Sequence, residues 1–307
     1  MARGSSLQRR ISAGAFAITA EVTPPLSADA GALLAKAEPL RGRIDAVNVT
    51  DAAGARAAMG SFAAAAILAR ANFEPVLQVT CRDRNRIALV GDLLGAAAQG
   101  VHNVLVLHGD DPASGDQPEA KPVHDLDSRG VISLMRKMRD DGVSPSGRAI
   151  EPAPVFLIGG ADTPHDPAAD WRPTGLLAKI EAGADFVQTQ FCFDLDITQR
   201  YLARLSDAGI PERLSILIGI GPIASARSAR WMNENLFGVT VPDAVIDRLE
   251  NAADAGAEGR RICVELMQGL REVPGVSGVH IMAPNQGMES VAQVIDESGL
   301  RSAVPVA

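Results

Sequence analysis

Glu21 is the side chain in this sequence best placed to move a proton. It sits inside an otherwise uncharged stretch, Ala13 to Pro25. A carboxylate in apolar surroundings is partly desolvated, which favours its protonated form and suits it to general acid work. A structural glutamate paired to a nearby cation is the competing reading. His108-Gly109-Asp110-Asp111-Pro112 follows an apolar run. Glycine lets the backbone approach a ligand closely, and Asp110 then presents a negative charge. The same residues also suit a plain tight turn. Amides and hydroxyls recur at comparable places: Asn48 and Thr50, Gln78 and Thr80, Gln188 and Gln190, Asn285 and Gln286. Singly, each reads as a solvated strand end; together they describe a polar ring that could hold a ligand.

Other chemistries find less support. Gly219-Ile220-Gly221-Pro222-Ile223-Ala224 matches the loose dinucleotide fingerprint, but Pro222 removes an N–H from the would-be phosphate loop. A barrel loop, which can still bind phosphate, is the better reading. His102, His108, His124, His165 and His280 are dispersed, so no metal site is expected. A metal-dependent hydrolase built on His108, Asp110 and His165 is the rival from that class. There is no G-x-S-x-G and no P-loop. Cys81 and Cys192 read as small buried hydrophobes.

These residues need elements to position them. Eight apolar runs are candidate strands: Phe16–Thr23, Asp45–Thr50, Pro75–Cys81, Asn103–His108, Pro154–Gly160, Phe186–Phe193, Leu214–Ile220 and Gly278–Met282. Most are continuously apolar, as strands covered on both faces should be. Helical patterns intervene over 86–99, 131–139, 178–182 and 197–206, and 241–270 reads as a long helix or a broken pair. The alternation predicts a single (β/α)8 TIM barrel over residues 1–307, with 1–12 a loose leading segment. A doubly wound open sheet is the runner-up. In a barrel, chemistry belongs at the strand C-termini and the following loops, and the polar ring and the Gly159–His165 loop fall there.

The chain has 307 residues, 47% of them apolar, and a formal charge of −8. That charge argues against a broad nucleic-acid-binding surface. The odd count of three cysteines, without a C-x-x-C, suits a reducing cytoplasm rather than a disulfide framework. No apolar run reaches membrane-spanning length. The basic opening, Met1 to Arg10, imitates a signal peptide but runs directly into the first strand. Homo-oligomer formation is compatible with the sequence.

Ordered along the chain, the motifs resemble those of the methylenetetrahydrofolate reductases. Ala20-Glu21-Val22-Thr23-Pro24-Pro25 resembles their "E-F-x-P-P" first strand, and Val47-Asn48-Val49-Thr50 and Gln78-Val79-Thr80-Cys81 their next two. Leu107-His108-Gly109-Asp110 resembles their "R-G-D" turn. Lys179, Ala182-Gly183-Ala184-Asp185 and Gln188-Thr189-Gln190-Phe191-Cys192-Phe193-Asp194 resemble the stretch ending in "T-Q-F-F-F-D". The resemblance implies a barrel carrying FAD, with NADH or NADPH as electron donor, acting on C1 derivatives of tetrahydrofolate. By matching position, Glu21 would be the general acid and Asp110 would stabilise a 5-iminium cation. Gln190, Asp110 and Gln286 would bind substrate. Thr50, Gln78, His108, Gly109, Asp110, His165 and Lys179 would contact the flavin, which carries the redox chemistry. The sequence departs from the family at His108 and Gln78, at Arg172, Gly175 and Ala178, at Ala226, where an aromatic is usual, and at Met282 and Gln286. These departures keep two alternatives open: a C1-pterin reductase served by a deazaflavin or directly by a nicotinamide, and a non-catalytic folate- or flavin-binding barrel.

Overall fold

A computed structural model describes residues 4–284 and 286–301; Asn285 of the predicted polar ring lies outside them. Eight parallel strands close in sequence order. They are β1 (Ala17–Val22), β2 (Ala46–Val49), β3 (Pro75–Thr80), β4 (Asn103–Leu107), β5 (Leu157–Asp162), β6 (Phe186–Phe191), β7 (Ser215–Ile220) and β8 (Gly278–Ile281). The helices are α1 (Ser6–Ser12), α2 (Ala30–Ala37), α3 (Ser61–Arg70), α4 (Arg86–Ala98), α5 (Ser128–Arg136), α6 (Thr174–Ala182), α7 (Leu195–Asp207), α8 (Ala226–Asn235), α9 (Asp243–Asn251), α10 (Ala255–Arg271) and α11 (Met288–Ser298). The fold is the expected (β/α)8 barrel, and the open-sheet alternative is excluded by the β1–β8 ladder, in which Thr19 stands opposite His280.

Side chains alternate across each strand. One set, including Ile18, Val47, Val79, Val106, Ile158 and Ile218, packs against the surrounding helices in the main core. The other points inward and forms layers. At the bottom, Ala17, Ala46, Val76, Leu105, Leu157, Phe186 and Leu217 pack together. One step higher on the inward face lie Thr19, Asn48, Gln78, Gln188 and His280, all buried. The barrel interior therefore changes from apolar to polar along its axis.

Two local readings differ from expectation, and one left open is decided. Residues 6–12 form α1, capped by Ser5, whose side chain accepts from the Gln8 N–H. Leu7 is fully buried against the bottom layer, so this segment plugs the barrel. β5 starts at Leu157 rather than Pro154 and runs on to Asp162. Hydrophobicity begins the run early, but pairing with β4 begins at the Asn103–Leu157 register, and Asp162 stays paired opposite Thr189. Of the two readings open for 241–270, the broken pair holds, because Asp254 caps a new helix by accepting from the Ala257 N–H at 2.9 Å.

The long β7–β8 connection is held over the barrel by a close approach at Gly259 in α10. A Cβ there would collide with the carbonyl oxygen of Ile223, in the loop after β7. Gly91 in α4 has open space at the same position. Gly91→Ala should raise stability by about 0.5–1 kcal/mol by removing backbone freedom. Gly259→Ala should lower it by about 1–3 kcal/mol through overpacking. Thermal unfolding of both variants checks the opposite signs; a stabilising Gly259→Ala would refute the close approach.

Candidate functional site

Glu21 lies on the inward face near the end of β1, opposite Asn48 in the β1–β2 register. Its Oε2 accepts a hydrogen bond from Gln78 Nε2 at 2.7 Å. His280 Nε2 stands 3.7 Å from the same oxygen, and the Glu21 side chain keeps 23% exposure. Two residues predicted separately, Glu21 and Gln78, are thus brought into direct contact. Thr50 directly follows β2 and is buried, and its Oγ1 has no hydrogen-bond partner among the described residues. An orphan buried hydroxyl is costly unless something fills the acceptor or donor place beside it.

The β4 turn is built as the sequence suggests. Gly109 adopts φ +94°, and a Cβ there would stand 2.9 Å from Arg82 Cβ and 3.1 Å from Thr80 Cβ. Glycine is required on both counts. Asp110 is exposed, and its Oδ2 accepts from the Gly54 N–H at 2.7 Å. His108 does not turn into the barrel; it stacks on His124 with centroids 4.6 Å apart. His165 packs edge-on against Trp171 at 4.8 Å. Among the described residues, no three His, Cys, Asp or Glu side chains converge to hold a metal ion.

Gln190 Oε1 accepts from the Phe191 N–H at 3.0 Å, which leaves its Nε2 free to donate. Gln286 Nε2 donates to the Pro222 carbonyl at 2.7 Å and joins the β8 and β7 loops. Lys179 in α6 runs past Gly160, where a Cβ would stand 3.2 Å from its Cδ. Arg172 and Gly175 flank the start of α6 and are exposed, and Pro173 gives that helix no side-chain cap. Ala226 is buried at the start of α8.

Sequence reasoning overlooked the residues that hold the mouth in shape. Asp51 is buried just beyond β2. It accepts from the Ser61 hydroxyl at 2.9 Å, from the Thr80 N–H and hydroxyl at 2.9 Å each, and from Arg84 at 2.7 Å. Arg82, 3% exposed, pairs with Asp83 and donates to the Asp110 carbonyl at 3.2 Å. It therefore braces the Gly109–Asp110 turn from beneath. His280 carried the plainest missed signal. Counting in twos from Gly278 puts it on the inward face, at the height of Gln188 and Thr19.

Burial pushes the Cys81 thiol up to about 11, with Asp127 adding to the effect, and burial likewise raises Cys192. Neither is a ready nucleophile. A separate cavity of about 600 Å³ lies on the barrel flank between α4 and residues 144–150. It shares no residue with the mouth, and its Arg86 is occupied by Asp125.

A family model described as methylenetetrahydrofolate reductase matches residues 6–299. The chain belongs to the methylenetetrahydrofolate reductase family. A probable methylenetetrahydrofolate reductase (NADPH) of Caenorhabditis elegans is 25% identical over 245 residues, covering 77% of this chain and 34% of that protein. Methylenetetrahydrofolate reductase 2 of Schizosaccharomyces pombe is 27% identical over 73% of this chain and 35% of its own length. The chain thus spans about a third of these two relatives. The 5,10-methylenetetrahydrofolate reductase of Salmonella typhimurium is 24% identical, over 73% of this chain and 70% of that protein. Among solved structures, an uncharacterized Clostridium thermocellum protein that binds two copies of 5-methyl-5,6,7,8-tetrahydrofolic acid superposes with a TM-score of 0.64. It is 15% identical, over 97% of this chain and 100% of that one, a likeness of fold. No helix among the described residues is long and apolar enough to cross a membrane.

Within this family member, the last residue of β5 is a half-buried acid. Asp162 accepts from the Tyr201 hydroxyl at 2.6 Å. Burial pushes the Asp162 carboxyl up, while Tyr201, then Lys179, pull it back. Burial, then Asp162, raises the Tyr201 phenol beyond its ordinary range. A carboxyl raised by folding adds stability below its unfolded value and loses that contribution as pH rises through the folded value. Tyr201→Phe pushes Asp162 further up, so its cost must grow with pH. The loss should be larger at pH 7 than at pH 4 by about 1 kcal/mol, the excess of a hydrogen bond to a charged group over one to a neutral group. Urea unfolding at both values tests this; equal losses would contradict it.

Proposed function

We propose that this chain interconverts 5,10-methylenetetrahydrofolate and 5-methyltetrahydrofolate, with Glu21 as general acid. The observation that carries the reading is the setting of Glu21 on the inward face at the barrel mouth. One carboxylate oxygen is fixed by Gln78, and the other has no hydrogen bond among the described residues. Such an acid is held in orientation without losing the oxygen that must meet the substrate. The family match and the relatives' names supply the substrate class.

In the reducing direction Glu21 gives its proton to N10, which opens the five-membered ring and leaves an iminium cation at N5. Asp110 stands exposed at the mouth with one oxygen held by Gly54, a fixed negative group suited to that cation. Gln190 offers its Nε2 to the pterin, and Gln286 lines the β8 side with Oε1 as acceptor. Thr50, Gln78, Gly109, Asp110 and Lys179 would hold FAD, while the rings of His108 and His165 are taken up by His124 and Trp171. The unpartnered Thr50 hydroxyl and the uncapped start of α6 fit a cofactor with a polar ring and phosphates. When bound, the flavin supplies the hydride that reaches the methylene carbon. NADPH or NADH is the proposed source of electrons, since the Caenorhabditis elegans relative is named for the first and an Arabidopsis thaliana relative for the second.

Glu21→Gln should lower turnover by about 10²–10⁴-fold, the contribution of a positioned general acid. Binding of 5-methyltetrahydrofolate, followed by fluorescence titration, should stay within about twofold. Wild-type activity in the variant would remove Glu21 from its role. A visible spectrum of purified protein, before and after adding FAD, tests the cofactor; full activity in a colourless, flavin-free sample would reject it.

A further inference from the structure

His280 is buried at 2% exposure, in the centre of the barrel, and the proposed chemistry leaves it without a task. It pairs with Thr19 in the β1–β8 register and with Gly219 in the β7–β8 register. Its Nδ1 lies 3.0 Å from Thr19 Oγ1 and its Nε2 lies 3.7 Å from Glu21 Oε2. The second separation is an ion-pair distance, too long for a hydrogen bond. On the inward face, Glu21 is the charged group that meets this ring among the described residues. Asn48, Gln78 and Gln188 in the same layer are uncharged amides.

The donors in this layer can be counted. Asn48 and Gln188 exchange amide hydrogen bonds, which fixes both amides. Gln188 Nε2 also donates to Thr19 Oγ1 at 3.0 Å. The Thr19 hydroxyl has one proton of its own and two acceptors in reach, the Val279 carbonyl at 3.2 Å and His280 Nδ1. When it donates to Nδ1, a neutral imidazole carries its proton on Nε2, facing Glu21. The chain then runs in one direction: Gln188 to Thr19, Thr19 to His280, and His280 toward Glu21 Oε2, where the Gln78 N–H already points.

We infer that His280 is a positioning residue for Glu21, the end of a directed donor chain that meets the carboxylate formed when Glu21 gives up its proton. The inference rests on Glu21 being the acid. The proton travels from Glu21 to the substrate nitrogen. His280 gives none up; its N–H closes on Oε2 as negative charge develops there. Such contacts are commonly long in a ligand-free site and tighten in the reacting complex. The new charge is stabilised by donors already in place, which need no reorganisation.

Three variants test this against Glu21→Gln: His280→Ala, His280→Gln and Thr19→Val. Without the imidazole donor, Glu21 holds its proton more tightly. His280→Ala should therefore lower kcat about tenfold and move the alkaline limb of the kcat–pH profile to higher pH. KM for the folate should stay within about twofold. His280→Gln, whose amide can donate in place of Nε2, should restore most of the rate and the profile. Thr19→Val, which removes the donor to Nδ1, should shift the limb in the same direction by a smaller amount. Circular dichroism establishes which variants fold, and Thr19→Val carries the expected shift, against an unshifted His280→Gln, if His280→Ala does not fold. An unshifted profile in His280→Ala, or in Thr19→Val where His280→Ala does not fold, with Glu21→Gln inactive, would overturn the role of His280 and leave the acid in place. An active Glu21→Gln would overturn both.

Discussion

A closed barrel has one interior, shielded by its strands, and a polar layer inside it needs hydrogen-bond partners close at hand. In this protein the reciprocal amide pair between Asn48 on β2 and Gln188 on β6 meets that requirement. It reaches across the interior, and Thr19 and His280 extend it to β1 and β8. These linked hydrogen bonds make the layer cohesive. Glu21 stands directly above it, fastened through Gln78. The position of the proposed acid is therefore set by the strands themselves rather than by a loop.

The loops that complete the mouth are held differently. Around β2, β3 and β4 the anchors are charges. Asp51 gathers Ser61, Thr80 and Arg84, and Arg82 braces the Gly109–Asp110 turn. Buried ions are expensive to desolvate, and replacing them with hydrophobic groups is often harmless to stability. Their value here is direction. A carboxylate fed by several fixed donors holds the turn after β2 against β3, and the space between those strands keeps its shape. Around β5 to β7 the anchors are aromatic and backbone contacts: Trp171, Tyr201 and His165 pack together, and Arg204 donates to the carbonyls of Ala169 and Trp171.

Much of this was legible in the sequence, for reasons that also explain what was not. Strands covered on both faces read as apolar runs, and eight such runs alternating with helices gave the barrel. β5 misled because Pro154 to Phe156 is apolar but unpaired, while polar Asp162 remains in the ladder. The leading helix was hidden because one buried leucine, Leu7, decides its fate, and seven residues show too little periodicity to reveal it. At the site, Glu21 and Gln78 stood out as polar groups in apolar strands, and the structure joins them. His108 and His165 looked alike in sequence, but both spend their rings on aromatic neighbours. Arg82 and Asp51 sit where turn residues are ordinarily charged and solvated, so only their burial sets them apart.

The two carboxylates of the proposed site are separated by environment rather than by type. Asp110 faces solvent on a turn and accepts a backbone N–H. Glu21 rises from a sealed layer with little solvent around it, and its donors gather on one oxygen. A group that must hold a proton and then release it profits from donors that act only after release. The chain from Gln188 through Thr19 and His280 offers that kind of donor, because its last link is still open at 3.7 Å while the others are closed. The cohesive polar layer of the barrel interior is thus also the layer that can respond when Glu21 changes charge.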